Sequence, residues 1–270
     1  MKYTITAVIP TVQYGNIQPS IELEADTFEE ARDYAMPRIE ELWSQYSEAP
    51  LKKSNGNFKK LKAWVGGSIL YDDVAHMYTN EQGDKYLSGS VYAQLGEPEF
   101  DMTGITEKMA KKFKVPAEDI VKMWNMKRDI SNGLGTAIHA ALELYGKFEK
   151  YADVFDKEYH LHDHPVIKQA VLSFYKGRKE DALYEALVVD HARKYAGQID
   201  RVVKEKDVYY IEDFKTNGEL KKEKLDTYWK QLSFYASIVE AAGNKVKGLR
   251  IHHWNGGEWK TYEHEVLEVK

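Results

Sequence analysis

The stretch YAGQIDRVVKEKDVYYIEDFKT, Tyr195 to Thr216, decides how the chain is read. Two runs rich in Val, Ile and Tyr flank a charged, turn-like KEKD, the pattern of a β-hairpin. Carboxylates interrupt both runs, at Asp200 and at Glu212-Asp213, and Lys215 follows closely. Side chains alternate between the faces of a strand. Asp213 and Lys215 therefore share a face with Ile211 and Tyr209, and Asp200 shares one with Gln198 and Val202. If Glu205 and Lys206 form a two-residue turn, Asp200 opposes Ile211 and Gln198 opposes Asp213. The two aspartates are then diagonal neighbours on the face that carries Lys215. A three-residue turn aims Glu212 at Asp200 instead. In either register two acids meet on one sheet, where like charges repel and burial raises the penalty. A divalent cation is the simplest remedy, and oxygen ligands suit Mg²⁺ or Mn²⁺. A lysine beside such an ion can orient, or help deprotonate, a water there, and the set suits attack on a phosphodiester. A solitary D-x-K is also frequent by chance on exposed, salt-bridged hairpins, so its surroundings must bear on the choice.

Composition bounds the alternatives. The 270 residues are 43% hydrophobic and 30% charged, those of a soluble globular protein with ample core-forming side chains. No apolar run approaches the roughly 20 residues that span a bilayer. MKYTITAVIPT is too polar and too regularly alternating for a signal peptide. A cytoplasmic protein without a membrane segment is expected. The Cys count is 0, which excludes disulfides, thiolate zinc sites, cysteine nucleophiles and a Cys-held iron-sulfur cluster. The net charge of -5 does not itself point to nucleic acid, although a local basic face can coexist with an acidic remainder.

Along the chain, residues 1–48 read as a small β-β-α unit. Its strands are Lys2 to Val12 and Gln18 to Ala25, and a helix follows with Thr27 as N-cap, Glu30 as capping-box partner and Pro37 as a kink or break. Residues 49–84 read as a basic linker and an irregular segment, and 85–270 as the main domain. Helices are expected over Thr103–Lys112, Ala117–Asp129, Gly133–Phe148 and from Pro165 to Gly177. Strands are expected over Ala182–His191, Gln198–Lys204, Val208–Lys215 and Gly248–Trp254, with a helix over Asp226–Ala242 before the last. This order is an α+β or mixed α/β pattern.

Further polar residues stand where apolar ones would be ordinary. Gln231 and Tyr235 share a helix face at i and i+4. His139 follows Gly135 by one helical turn, with Glu143 a turn further on, and Glu185 interrupts the apolar strand YEALVV. Each alone is more often structural than functional. HLHDH, His160 to His164, runs into Pro165 and reads as a surface loop. His252 and His253 point to opposite faces of a strand and do not chelate together. Asn255 to Gly257 is a hairpin turn, and Trp254 and Trp259 read as core or edge aromatics.

The ordered set is more specific than its members: G-x-x-x-H on a helix, Glu in a strand, G-x-x-D from Gly197 to Asp200, D-x-K from Asp213 to Lys215, then Q-x-x-x-Y from Gln231 to Tyr235. From Tyr86 to Trp254 the chain resembles the PD-(D/E)XK nuclease superfamily, in its RecB-like and phage exonuclease branch. KYLSGSVYAQ, Lys85 to Gln94, is similar to the Ser-containing entry segment of that branch.

The resemblance implies a restriction-endonuclease-like core, a central mixed β-sheet flanked by helices, with the β-β-α unit outside it. It implies Asp200, Asp213, Lys215 and Glu185 as catalytic residues. His139, Asp200, Asp213 and the Phe214 carbonyl would be metal ligands; Gln231 and Tyr235 would contact substrate or brace the site, and Ser88 would contact substrate. The cofactor implied is Mg²⁺ or Mn²⁺, without the iron-sulfur cluster some relatives carry. The activity implied is DNA hydrolysis, as an exonuclease of recombination, repair or phage replication. The partners implied are DNA, a single-strand annealing or other recombination protein, and a second copy of the chain. A non-catalytic nucleic-acid-binding protein on the same fold is the alternative.

Overall fold

The structure is a computed structural model and describes residues 2–6, 9–10, 16–17, 20–46, 58–72, 75–97, 101–148, 164–216 and 218–269. The chain divides into two compact units, Met1–Asn57 and Phe58–Lys270. HLHDH lies outside the described residues except for His164, as does most of the expected linker. No helix among the described residues is long and apolar enough to cross a membrane.

In the first unit, β1 (Lys2–Thr6) pairs antiparallel with β4 (Ser20–Glu24), and the short β2 (Ile9–Pro10) pairs with β3 (Asn16–Ile17). Helix α1 (Phe28–Tyr46) starts as the sequence predicts. The Glu30 amide donates to Thr27 Oγ1, and Glu30 Oε2 accepts from the Asp26 amide. Ala31, Ala35 and Ile39, spaced four apart, form its buried stripe. Pro37 does not split the helix.

The second unit is built on a nine-stranded mixed sheet. Its centre is β9 (Asp181–Asp190), β10 (Tyr195–Glu205) and β11 (Val208–Lys215), paired antiparallel in succession. From β11 the chain crosses through α6 (Lys222–Ala241) to β12 (Val246–Trp254), parallel to β11, and turns back along β13 (Trp259–His264). Ile199, Val202, Ile211, Leu249 and Ile251 pack with α6 on one face. Phe214 and Trp254 pack on the other face with α4 (Ala117–Phe148) and α5 (Pro165–Tyr175). The expected mixed sheet flanked by helices is what forms.

The structure departs from the sequence expectations in two helical and strand regions. Residues read as linker, as irregular segment and as the start of the main domain form β5 (Lys59–Lys62), β6 (Ser68–Asp72), β7 (Met77–Thr79) and β8 (Lys85–Ser88), an antiparallel meander. It joins the centre twice: β8 runs parallel to β10 through Leu87 and Ser88, and Val65 bridges to Val188 on β9. Gly66 lies at φ +89, and a Cβ there would stand 1.8 Å from the Val189 carbonyl oxygen. Only glycine admits that approach. The other departure is α4, one 32-residue helix where two, Ala117–Asp129 and Gly133–Phe148, are expected. It follows α3 (Met102–Phe113) and the short α2 (Gly89–Gln94). A helical Gly is about 1 kcal/mol worse than Ala, too little to interrupt a helix anchored at Ile120 and at Ile138.

The hairpin has a register that neither expectation gave. Lys206 adopts a left-handed conformation (φ 57), the turn is Lys206-Asp207, and Glu205 pairs with Val208. Arg201 consequently faces Glu212, the last pair before the strands part. Both are buried, and Arg201 Nη1 donates to Glu212 Oε2. His252 Nε2 lies 3.0 Å from the same carboxylate, its Nδ1 lies 2.9 Å from Thr261 Oγ1, and Arg250 reaches Glu212 Oε1 at 3.1 Å. Burial alone would push Glu212 up. The His252 hydrogen bond and the Arg201 charge more than reverse this and hold it at about 2. Burial pushes His252 down, so it donates to Glu212 as a neutral imidazole and Arg201 carries the compensating charge.

A carboxyl held below its unfolded value stabilises the fold above that unfolded value, and the contribution is lost as pH falls through the folded one. Wild-type stability by urea denaturation is therefore expected to fall between about pH 4.5 and about pH 2, and less steeply in Glu212→Gln. At pH 7 that substitution leaves Arg201 short of its counter-charge and should destabilise by roughly 3 kcal/mol.

Candidate active site

The β10–β11 ladder ends at Arg201 and Glu212, and the next residue of each strand is an aspartate. Asp200 and Asp213 thus stand in line across the fork, opposite rather than diagonal. The Phe214 amide donates to Asp200 Oδ2 at 2.9 Å. His139, on α4, places Nδ1 3.4 Å from the same oxygen. Lys215 Nζ lies 2.6 Å from Asp213 Oδ2 and 4.4 Å above the Tyr228 ring on α6. Glu185 sits across the sheet on β9, with the left-handed backbone (φ 51) of an interrupted strand. His139, Glu185, Asp200, Phe214 and Lys215 line one cleft of about 580 Å³.

The electrostatics are those of crowded acids. Burial pushes Asp213 up to about 6 against the pull of Lys215, and Asp200 adds to the push. Burial, then Asp200 and Glu143, push Glu185 up to about 7. Burial would pull the Lys215 ammonium down, but Asp213 and Asp200 reverse this and hold it above the usual lysine range.

Two observations bear on a metal ion. Among the described residues no three acid or histidine side chains converge as a ready cation cage. Yet Asp213 Oδ2 is buried with no correctly aimed donor: Lys215 is at ion-pair distance but off the hydrogen-bond direction. A buried carboxylate oxygen without a donor is unstable in isolation. With Asp200, Glu185 and His139 beside it, the donor set suits a hard divalent ion. The residues present therefore fit a metal in kind, with Asp200 and Asp213 as its first candidates.

The motif glycines are explained by packing. A Cβ on Gly197 would stand 2.2 Å from the Tyr235 ring, and one on Gly89 would stand 2.4 Å from it. Tyr235 is buried between these two backbones, and Gln231 Nε2 donates to its hydroxyl at 3.1 Å. A Cβ on Gly135 would meet Thr216 Oγ1 at 2.6 Å, so Gly135 lets α4 close on the end of β11. Ser88 caps α2, its hydroxyl accepting from the Val91 amide. His252 and His253 do point to opposite faces, His252 toward Phe174 and Phe214. Sequence reasoning missed Tyr228. Its place three residues before Gln231, on the same helical face, is the signal that could have found it.

A model of the PD-(D/E)XK nuclease superfamily matches residues 112–267, and the chain belongs to that superfamily. Its members are typically metal-dependent nucleases, so a hydrolase acting on nucleic acid with a divalent ion is the class this fold and cleft define. No curated protein matches the chain. The crystal structure of SSO0001 is similar at 16% identity over 48% of this chain and 68% of that one, with a TM-score of 0.28.

Because protons compete with a cation for Asp213 and Glu185, Mn²⁺ affinity by titration calorimetry should weaken as pH falls from 8 to 5. Gly197→Ala should lower stability by about 1–3 kcal/mol in thermal denaturation, since the Tyr235 ring has nowhere to retreat.

Proposed function

We propose that the chain is a Mg²⁺- or Mn²⁺-dependent deoxyribonuclease that digests DNA from ends, of the RecB-like and phage exonuclease kind. The observation that carries this reading is the fork itself. Asp200 and Asp213 face each other where the ladder opens, His139 stands on the first and Lys215 on the second; His139, Asp200 and Lys215 line one cleft, and Asp213 is buried beneath it against Lys215. Asp200, Asp213, His139 and the Phe214 carbonyl are the proposed metal ligands, with Glu185 beside them. A bound divalent ion supplies the acidity that turns water into a nucleophile and stabilises charge on the phosphate. Lys215, held as an ammonium, stabilises negative charge developing on the phosphoryl oxygens and is not the base. Glu185, pushed up to about 7, has the basicity to accept a proton near neutral pH. Gln231 and Tyr235 brace β10 from α6, and Ser88 fixes the entry helix α2. The exposed Lys108, Lys111, Lys112, Lys122, Lys127 and Arg128 on α3 and α4, with Lys221, Lys222 and Lys224 at the start of α6, are proposed contacts to the phosphate backbone. A role in recombination, repair or phage replication, beside an annealing protein, in a homo-oligomer and in the cytoplasm, belongs to the same proposal.

The test is a time course on end-labelled linear and closed circular DNA with Mg²⁺, Mn²⁺ or chelator. The expected outcome is loss of linear DNA alone, dependent on the ion. Asp200→Ala and Lys215→Ala should each lower cleavage by at least about 100-fold while keeping the fold. DNA binding without cleavage by the wild type would make the chain a binding protein on a nuclease fold. Lys127→Ala should weaken binding uniformly across sequences and lower the salt slope of affinity by about one.

A further inference from the structure

Helix α4 carries one row of polar side chains, Asn132, Thr136, His139 and Glu143, at i, i+4, i+7 and i+11, of which the first three line the cleft. His139 reaches Asp200, and Glu143 pairs with Lys147. Asn132 and Thr136 line the cleft, yet among the described residues neither side chain has a hydrogen-bond partner. Thr216 faces them from the end of β11, its hydroxyl lodged against Gly135 and likewise unpartnered. The neighbouring Ser131 is different, because its hydroxyl bonds back to the Lys127 carbonyl at 2.8 Å. Mid-helix hydroxyls commonly bond back in this way, so Thr136 is left available. Among the described residues Lys215 is the one lysine or arginine lining the cleft. The wall running outward from His139 therefore offers neutral donors and acceptors. On helical geometry Thr136 stands about 4.5 Å and Asn132 about 10 Å along the axis from His139.

We infer that Asn132, Thr136 and Thr216 form a neutral strand-contacting wall, hydrogen-bonding the sugar-phosphate backbone of the nucleotide next to the cleaved phosphodiester. The inference rests on the nuclease function proposed above. Side-chain amides and hydroxyls are ordinary partners of phosphate and sugar oxygens. Unlike lysine, they release no counterion from the nucleic acid, so they position a strand without adding to the salt dependence of binding. The division of labour is then spatial. The lysines on the outer surfaces gather nucleic acid, and the wall sets which phosphate enters the acid fork.

The test compares two substrates in Mn²⁺: a labelled single-stranded oligonucleotide and bis(p-nitrophenyl) phosphate, which offers no neighbouring nucleotide. Asn132 and Thr136 are exposed, so Asn132→Ala and Thr136→Val should keep the wild-type melting temperature. Each should lose kcat/KM on the oligonucleotide about 5- to 30-fold more than on the small diester, mainly through KM, with the salt slope of oligonucleotide affinity held within half a unit. Equal losses on both substrates, no loss, or a slope lowered by about one would each overturn the inference while leaving the nuclease function standing. If the wild type cleaves neither substrate, the catalytic proposal falls. Fluorescence anisotropy of the same oligonucleotide then decides the wall: weaker binding by both variants sustains it, and unaltered binding removes it.

Discussion

The pairing of Arg201 with Glu212 across β10 and β11 is the constraint on which the rest of the molecule hangs. A buried guanidinium and a buried carboxylate tolerate no slip of register, because a one-residue shift of either strand would send one of them to the opposite face and leave the other buried without its partner. With that pair fixed on the α4–α5 side, the next residues of the two strands must emerge toward the cleft, and both are aspartates. His252, Arg250 and Thr261 extend the network to β12 and β13. The stable face of the sheet thereby dictates the geometry of the reactive one.

The two faces solve opposite electrostatic problems with the same residue types. On one, every acid has its cation or donor, and Glu212 is pulled far below the usual carboxylate range. On the other, acids outnumber cations, and Asp213 and Glu185 are pushed well above it. Asp213 Oδ2 is buried with the Lys215 ammonium close but out of line for a hydrogen bond, an arrangement that suits a cleft taking a divalent ion better than a structural network. The glycines serve the same arrangement. Gly197 and Gly89 make room for Tyr235, and Gly135 brings His139 to the fork.

Much of this was legible in the sequence, and the failures have physical causes. Strand alternation places Asp200, Asp213 and Lys215 on one face under either two-residue turn, so the shared face was readable although the register was not. Register turned on Lys206 adopting a left-handed conformation, which nothing local in KEKD signals. The motifs readable in order, from Gly135 to Tyr235, all fall within the segment that matches the family. The meander was unreadable because its strands are three to five residues long, too short for alternation to declare itself. The continuity of α4 was hidden by Asn132-Gly133, a turn signal overruled by packing at both ends. Tyr228 and Thr216 matter through remote neighbours, and spacing along the chain does not reveal those.

The way Val65 and β8 clasp the central strands has a consequence for where the chain can be cut. The matched segment begins at residue 112, but β9 is bordered at Val65, 47 residues before it, and β10 at Leu87 and Ser88, 25 and 24 residues before it. Val65 closes the outer rim of β9, and Gly66 admits no side chain at that seam. The piece of this chain that holds together as one sheet is thus longer than the segment the family match covers. A truncation at residue 112 would strip β9 and β10 of the meander that borders them.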